Sequence, residues 1–306
     1  MMEEILVPLD GSRFAEYALP AALSVADRSG ARLRLASVVT DVPPVPFTRA
    51  GEGRVRGWFE EARSRTEQYL EKVGEKVKEE AGGKLEVRSQ VLVGPAIRML
   101  AGELEESPST LLVMTTHGRG PLERAWVGSV TDGLVRRVTN PILLMRPQKG
   151  GEADLGARPA FEQVVIPLDG SETAEAILDS AAEFVSLFQS QVTLLSVLPE
   201  PFPVGSSYLP HVVEESVDRD AQKKGFEAYL DEIRGRLEGK ARSVSTVVVD
   251  AEEVASGILS ETERRQADLV AMSTHGRSGV TRLVVGSVAD KVIRGGSVPV
   301  FVRRAT

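Results

Sequence analysis

The sequence lacks cysteine and contains little histidine. None of its 306 residues is a cysteine, which excludes disulfide bonds, thiol nucleophiles and cysteine-ligated metals together. The three histidines, His117, His211 and His275, do not have the spacing of metal ligands. We therefore predict no metal site.

Long hydrophobic runs and an excess of positive charge are also missing. No apolar run approaches the ~20 residues that a membrane-spanning helix needs. The opening residues 1–5 are acidic, whereas a signal peptide begins with positive charge. The net charge of −7 disfavours nucleic acid as a partner, because nonspecific binding needs a basic surface. We expect a cytoplasmic protein that binds neither membrane nor nucleic acid.

Two common phosphate-binding motifs are absent as well. The sequence has no G-x-x-x-x-G-K-[ST] P-loop, and no G-x-G-x-x-G follows its first strand-like run. A nucleotide site in this chain would therefore be of another type.

What the sequence does contain is an internal repeat. The segment ILVPLDGS at residues 5–12 returns as VVIPLDGS at residues 164–171, 159 positions later. The segments THGR and VGSV each return 158 positions after their first occurrence. A nearly constant offset over three separate segments indicates a duplicated domain. We predict domains at residues 1–148 and 161–306, joined by a polar linker with Gly and Pro at residues 149–160.

Each half alternates strand-like runs with helical stretches. Strands separated by helices imply right-handed crossovers and a mostly parallel sheet covered on both faces. We expect the halves to dock as an intrachain pseudo-dimer through their last strands, which would otherwise be apolar sheet edges; a further homodimer stays open. In the first half the pattern predicts strands at residues 5–9, 32–39, 86–93, 111–115 and 142–146, and helices at 15–28, 55–80, 96–106 and 129–138.

The first candidate site residues directly follow the first strand of each half. Ligands of parallel sheets bind outside the carboxyl ends of the strands. Asp10 and Asp169 occupy this position, and Gly-Ser follows each of them. Such an aspartate can accept hydrogen bonds from a ribose or a base, or it can cap the following helix. The segment itself leaves both interpretations open.

The loop after the fourth strand is a second candidate. Glycine lets backbone amides approach an anion closely, and arginine can pair with phosphate oxygens. The alternative is an ordinary surface loop with solvated arginines. The residues concerned are Thr115, Gly118 and Arg119 in the first half and Ser273, Gly276 and Arg277 in the second.

The start of the next helix, at Gly128-Ser129 and Gly286-Ser287, is the third candidate. Its amides and dipole favour an anion, and a β-carbon on either glycine would intrude on a phosphate. The alternative is an S-x-x-D capping box formed by the serine. Both halves keep nine residues between the loop glycine and the helix glycine, which capping alone does not require. The conjunction favours a phosphate site.

Together these motifs resemble the universal stress protein family. Its members open with a V-P-x-D-G-S-like strand end and carry a G-x2-G-x9-G-[ST] motif between the fourth strand and the last helix. The resemblance covers most of residues 3–147 and 161–304. It implies an α/β fold of two Rossmann-like (adenine nucleotide alpha hydrolase-like) five-stranded parallel-sheet domains in tandem. It also implies ATP, with or without Mg²⁺, as the ligand.

The resemblance assigns ligand contacts residue by residue. One departure concerns the first glycine of the motif, which is Thr115 here in the first half and Ser273 in the second; either side chain can crowd the ligand or add a hydroxyl contact. The base and ribose contacts fall to Pro8, Asp10, Val38, Pro167, Asp169 and Val197. The phosphate contacts fall to Gly118, Gly128, Ser129, Val130, Gly276, Gly286, Ser287 and Val288.

Three functions remain open from the sequence. The first is a nucleotide-dependent regulatory module of the stress response, because no side chain is evidently placed as a general base or nucleophile. The second is a slow ATPase or phosphotransferase in which His117 or His275 takes part. The third is an interaction protein that holds no nucleotide, because Thr115 and Ser273 close the pocket.

Overall fold

The computed structural model describes the chain in six stretches, which contain ten strands and ten helices. Within 49–56 only the backbone is described. No helix of these stretches is both long and apolar enough to cross a bilayer. The six stretches are residues 2–40, 49–116, 128–146, 152–200, 218–275 and 285–305.

Strands alternate with helices in the first half, in the predicted order. The strands are β1 (Glu4–Pro8), β2 (Arg32–Val39), β3 (Val87–Val93), β4 (Thr110–Thr115) and β5 (Ile142–Met145). The helices are α1 (Arg13–Glu16), α2 (Leu19–Ser29), α3 (Arg49–Glu80), α4 (Ala96–Glu106) and α5 (Ser129–Arg137).

The second half repeats this order. The strands are β6 (Gln163–Pro167), β7 (Gln191–Pro199), β8 (Ser243–Ala251), β9 (Leu269–Ser273) and β10 (Val300–Arg303). The helices are α6 (Glu172–Glu175), α7 (Leu178–Phe188), α8 (Arg219–Leu237), α9 (Val254–Arg264) and α10 (Ser287–Gly295).

Two helix predictions in the first half were wrong at their starts. The segment predicted as one helix at residues 15–28 is divided into α1 and α2, with Pro20 in the first turn of α2. Proline is tolerated there, because its missing N–H has no partner in the first turn. The helix α3 begins at Arg49 and not at residue 55. Gly51 and Gly53 lie in this early part, and glycine lowers the helix propensity on which the prediction rested.

The ten strands form one sheet in the order β3-β2-β1-β4-β5-β10-β9-β6-β7-β8. All pairs within each half are parallel. The halves meet at β5 and β10, which pair antiparallel, so neither last strand is left as an open edge. The two predicted five-stranded parallel sheets are therefore present, but they are continuous with each other.

Helices cover both faces of this sheet, and each face has its own apolar core. Ile5 and Val7 point into one core and Leu6 into the other, as the alternation of side chains along a strand requires. The first core lies against α2, α3, α7 and α8, and the second against α4, α5, α9 and α10. Each core contains residues of both halves.

The polar segment between the halves packs against the first half. The Ser24 hydroxyl of α2 donates to the carbonyl oxygen of Pro159 at 2.6 Å. Arg158 forms an ion pair with Asp27 and donates to the carbonyl oxygen of Glu80 at the end of α3. Residues 158 and 159, inside the predicted linker, are thus held by specific polar contacts.

Candidate functional site

Adjacent strands bring together the predicted residues of the first half that the structure describes. Pro8 ends β1 and Thr115 ends β4, while Val38 is the penultimate residue of β2. Because β2, β1 and β4 are neighbours and run parallel, these residues lie at one edge of the sheet. Asp10 follows β1, and Gly128, Ser129 and Val130 form the start of α5 after β4.

The corresponding edge of the second half contains a cavity of about 310 Å³. This volume is at the lower end of the range for small-molecule sites. The cavity lies over the carboxyl ends of β6, β7 and β9 and reaches the start of α10. Its wall includes the predicted residues Pro167, Asp169, Val197, Ser273, Gly286, Ser287 and Val288.

Four predicted residues cannot be placed at either site. Gly118, Arg119, Gly276 and Arg277 lie outside the described residues. His117 and His211 do as well. Their assignments stay predictions from the sequence.

The aspartate after the first strand shapes a turn in both halves. Asp169 Oδ1 accepts hydrogen bonds from the Ser171 amide at 3.0 Å and from its hydroxyl at 2.5 Å. Asp10 Oδ1 accepts from the Ser12 amide at 2.9 Å. The serine, not the aspartate, is the N-cap of the following short helix. Aspartate capping is therefore excluded, and the turn holds each carboxylate at the carboxyl edge of the sheet.

The last helix of each half begins without a side-chain cap. The N-caps of α5 and α10 are Gly128 and Gly286, and neither helix start has a side-chain capping bond. Ser129 and Ser287 are already the first helical residues, so the alternative of a serine capping box was wrong. The first-turn amides of a helix have no acceptor within the helix. At α10 these amides belong to residues that line the cavity.

Gly286 is required by a close approach of two backbone segments. Its N–H donates to the carbonyl oxygen of Thr274 at 2.8 Å. A β-carbon at this position would lie 3.1 Å from the same oxygen, closer than carbon and oxygen normally approach. The glycine therefore has a packing reason in addition to the phosphate reason that the sequence suggested.

Ser273, which replaces the first motif glycine, is buried at the end of β9. Its hydroxyl oxygen lies 3.4 Å from the amide nitrogen of His275, which donates to it. The side chain thus supports the turn that follows β9, and the cavity is present beside it. In this half the substitution does not close the pocket.

His275 and Thr274 form a polar pair on the cavity wall. The His275 Nδ1 atom lies 2.9 Å from the Thr274 hydroxyl oxygen. The Nε2 atom is buried and has no hydrogen-bond partner among the described residues. Among the described residues this imidazole nitrogen therefore has unused hydrogen-bonding capacity, and it lies beside a cavity.

Several lining residues were missed by the sequence reasoning. They come from helices that precede or follow the motif segments, so no motif signals them. One available signal was the spacing of four residues within two pairs of them, because this spacing places both side chains of a pair on the same face of a helix. The missed residues are Gln222 and Phe226 of α8, Val254 and Ile258 of α9, and Ala174 of α6.

A charged and phenolic cluster lies next to the cavity. The Tyr229 hydroxyl donates to Glu175 at 3.2 Å, and Arg236 pairs with the same carboxylate at 2.6 Å. Burial raises the pKa of Tyr229 above its usual range, and the negative charges of Glu175 and Asp169 raise it further. The phenol is therefore neutral at physiological pH and acts as a donor.

Comparison with known proteins gives the family. The universal stress protein family model matches residues 1–146 and again residues 160–304. The chain belongs to the universal stress protein family. The two matches account for nearly all of the chain, in agreement with the repeat.

Individual relatives match most of this chain over most of their own length. Universal stress protein Rv1996 of Mycobacterium tuberculosis is 27% identical over 314 residues, covering 98% of this chain and 94% of that protein. Universal stress protein Rv2005c of the same organism is 26% identical over 264 residues, covering 86% and 82%. A crystal structure of a universal stress protein from Archaeoglobus fulgidus superposes with a TM-score of 0.71, at 20% identity and 99% coverage of both chains. The last comparison concerns the fold alone.

The two universal stress protein halves also share polar contacts outside the motifs. In the first half, the Tyr69 hydroxyl donates to Glu16 at 2.9 Å. This contact corresponds to that of Tyr229 with Glu175 in the second half. In both halves it ties the long helix, α3 or α8, to the short helix that follows the aspartate turn.

Proposed function

We propose that the second half of this protein binds an adenine nucleotide in its cavity and that the chain acts as a nucleotide-dependent regulatory module. One observation carries the proposal. The uncapped start of α10, the Asp169 turn and an apolar wall all face the same cavity. These features match the three parts of a nucleotide: an anion site for the phosphates, an acceptor for the ribose hydroxyls and an apolar wall for the base.

The phosphates are assigned to the start of α10. Ser287 and Val288 provide first-turn amides there, and the helix dipole adds roughly half a positive charge. None of the described lining residues is a lysine or arginine, so these amides are the principal positive feature of the described wall. Helix starts of this kind are established anion sites.

The sugar and base are assigned to the opposite part of the cavity. The Asp169 carboxylate can accept hydrogen bonds from ribose hydroxyls. Around it the wall is apolar, with Val197, Val254 and Met272 among its residues. An apolar wall with few polar groups suits a planar heterocycle, whose faces gain from leaving water.

We assign any Mg²⁺ to the bound nucleotide and not to a separate site formed by the protein. The described residues include no group of three or more His, Asp or Glu that could hold a metal ion. Mg²⁺ instead prefers phosphate oxygens and water with one or two carboxylates. In the first half we assign the equivalent ligand contacts to Pro8, Asp10, Val38, Gly128 and Ser129, on the basis of the repeat.

Slow hydrolysis is a second candidate function, and His275 is the observation that favours it. Its Nε2 atom has no partner among the described residues, and a neutral imidazole nitrogen can accept a proton from an attacking water. The reaction would convert ATP and water to ADP and inorganic phosphate. Measurement of phosphate release by wild type and His275→Asn separates this function from simple binding, because binding alone releases no phosphate.

The proposal is tested by identifying the ligand of the full-length protein. Freshly purified protein is denatured and the released small molecules are analysed by mass spectrometry, and ATP is titrated calorimetrically into protein stripped of ligand. We expect an adenine nucleotide in the first experiment and saturable heat in the second. Absence of a nucleotide in the first and of binding heat in the second would contradict the proposal.

A further inference from the structure

The strand order determines which side of the second-half cavity would contact the phosphates of a nucleotide and which side its base. In the sheet, β6 lies between β9 and β7. The helix α10, which begins after β9, is therefore on one side, and the end of β7 is on the other. Neighbouring strands are about 4.8 Å apart, so these two sides are separated by roughly 10 Å. A nucleotide whose phosphates contact α10 then places its base near the end of β7.

The wall at the end of β7 is formed by the first turns of α8. Arg219 donates to the carbonyl oxygen of Pro199, the last residue of β7, at 2.9 Å and also pairs with Asp250 of β8. These contacts fix the start of α8 beside the strand end. Gln222 and Phe226 are four residues apart on this helix, and both line the cavity.

The first half has different residues at these two positions. Tyr69 and Tyr229 make equivalent contacts, and each is followed by a fully buried leucine, so α3 and α8 align at an offset of 160 residues. By this alignment Gln222 corresponds to Ala62 and Phe226 to Thr66. At these two positions the first half therefore has neither a carboxamide nor an aromatic ring.

We propose that Gln222 and Phe226 recognise the base and make the second half selective for adenine over guanine. The inference rests on the proposed function. A carboxamide presents one donor and one acceptor, which match N7 and the N6 amino group of adenine. Guanine presents two acceptors, N7 and O6, along the same edge, so the amide oxygen would face another oxygen. Phe226 offers a ring on which either base can pack.

The experiment is calorimetric titration of ATP and GTP into full-length protein that carries Ser129→Asp. This background places a carboxylate at the start of α5, so that the heat reports the second half. Gln222→Ala and Phe226→Thr introduce the residues of the first half, and Lys224→Ala is the control, an exposed neighbour on the same helix that is not part of the cavity wall. Circular dichroism confirms that each variant is folded.

The two variants are expected to behave differently. Gln222→Ala should raise the Kd for ATP by about fivefold to 100-fold and leave the Kd for GTP within about twofold, so that the preference is lost. Phe226→Thr should weaken both nucleotides by a similar factor, because ring packing does not distinguish the bases. Lys224→Ala should match the background protein.

Two other results would overturn the inference, and they can be told apart. If ATP binds and folded Gln222→Ala keeps the original ratio of ATP to GTP affinity, base recognition by Gln222 is wrong and the proposed function stands. If the wild-type protein itself takes up no ATP, the proposed function fails, and the base-recognition role fails with it.

Discussion

Leu143 of β5 lies directly opposite Phe301 of β10 in the antiparallel pair that joins the two halves. Both side chains are almost fully buried and belong to the core that runs under both halves. Phe301 also packs against Phe184 of α7, with ring centroids 4.9 Å apart. Side chains of both halves thus pack in one shared core at this strand pair, which makes the pairing an energetic contact as well as a topological one.

A double-mutant cycle measures this contact. Leu143→Ala and Phe301→Ala should each lower the free energy of unfolding by about 2–5 kcal/mol, because both open a cavity in the core. Since the two side chains are neighbours, we expect a coupling energy of roughly 0.5–3 kcal/mol between them. Chemical denaturation of the four proteins provides the values. A coupling energy of zero within error would mean that the halves are independent at this strand pair.

The ion cluster at Glu261 should be visible in the acid stability of the protein. Hydrogen bonds from Arg264 and then from Arg265 lower the pKa of this buried carboxyl, against the opposing effect of burial. The stabilisation is therefore present above the unfolded pKa of about 4.3 and is lost as the pH falls through the folded value. Glu261→Gln should cost about 1 kcal/mol at pH 7 and less at pH 3.

The matched control for this prediction is Glu263→Gln, on the exposed side of the same helix. Its unfolding free energy should stay close to that of wild type at both pH values. Urea denaturation at pH 7 and pH 3 provides the comparison. A Glu261→Gln deficit that does not change with pH would show that the ion pairs are not its cause.

The contribution of Tyr229 to stability should have the opposite pH dependence and should be lost at high pH. Burial and the Glu175 carboxylate raise its pKa, so its stabilising contribution is complete below the unfolded value of about 10 and declines as the pH rises further. Tyr229→Phe should therefore be less stable than wild type at pH 8 by about 1 kcal/mol, and the deficit should shrink by pH 11. Thermal melts at the two pH values test this. An equal deficit at both would remove the titration from the explanation.

Two glycines of the second half should respond oppositely to alanine. A β-carbon at Gly286 would press on the Thr274 carbonyl oxygen, so Gly286→Ala should destabilise by roughly 1–3 kcal/mol. Gly235 lies within α8, and a β-carbon there would meet nothing within 4 Å. Gly235→Ala should therefore stabilise by about 0.5–1 kcal/mol through helix propensity. Melting temperatures that shift in the same direction would contradict the packing role of Gly286.

The alternation of strands and helices could be read from the sequence because it depends on local pattern. The strand at Arg32–Val39 and the helix at Ala96–Glu106 have the predicted bounds. The aspartate turns and the helix starts could also be located, since the repeat marks them twice. What the sequence could not give was the capping: whether Asp169 or Ser171 caps the short helix depends on backbone angles that both residues allow.

The wall that α8 contributes to the cavity could not be predicted from the sequence either. Gln222 and Phe226 lie on a helix whose other residues are largely charged, and the repeat does not mark them, because the first half has Ala62 and Thr66 instead. Their place in the wall depends on how α8 is held beside β7 by Arg219. The four-residue spacing shows that the two side chains share one face of α8, but it does not show that this face meets the cavity, because that depends on a tertiary contact.

The central claim is that the start of α10 binds the phosphates, and Ser287→Asp tests it most directly. Ser287 is exposed in the first helical turn, where an acidic residue favours the helix but repels a phosphate. Ser287→Ala is the control, because it keeps the backbone amide. In calorimetric titration with ATP, we expect Ser287→Ala to bind like wild type and Ser287→Asp to lose at least about tenfold in affinity at the second half, with the fold and melting temperature maintained. Equal affinity and stoichiometry for wild type and a folded Ser287→Asp would contradict the account.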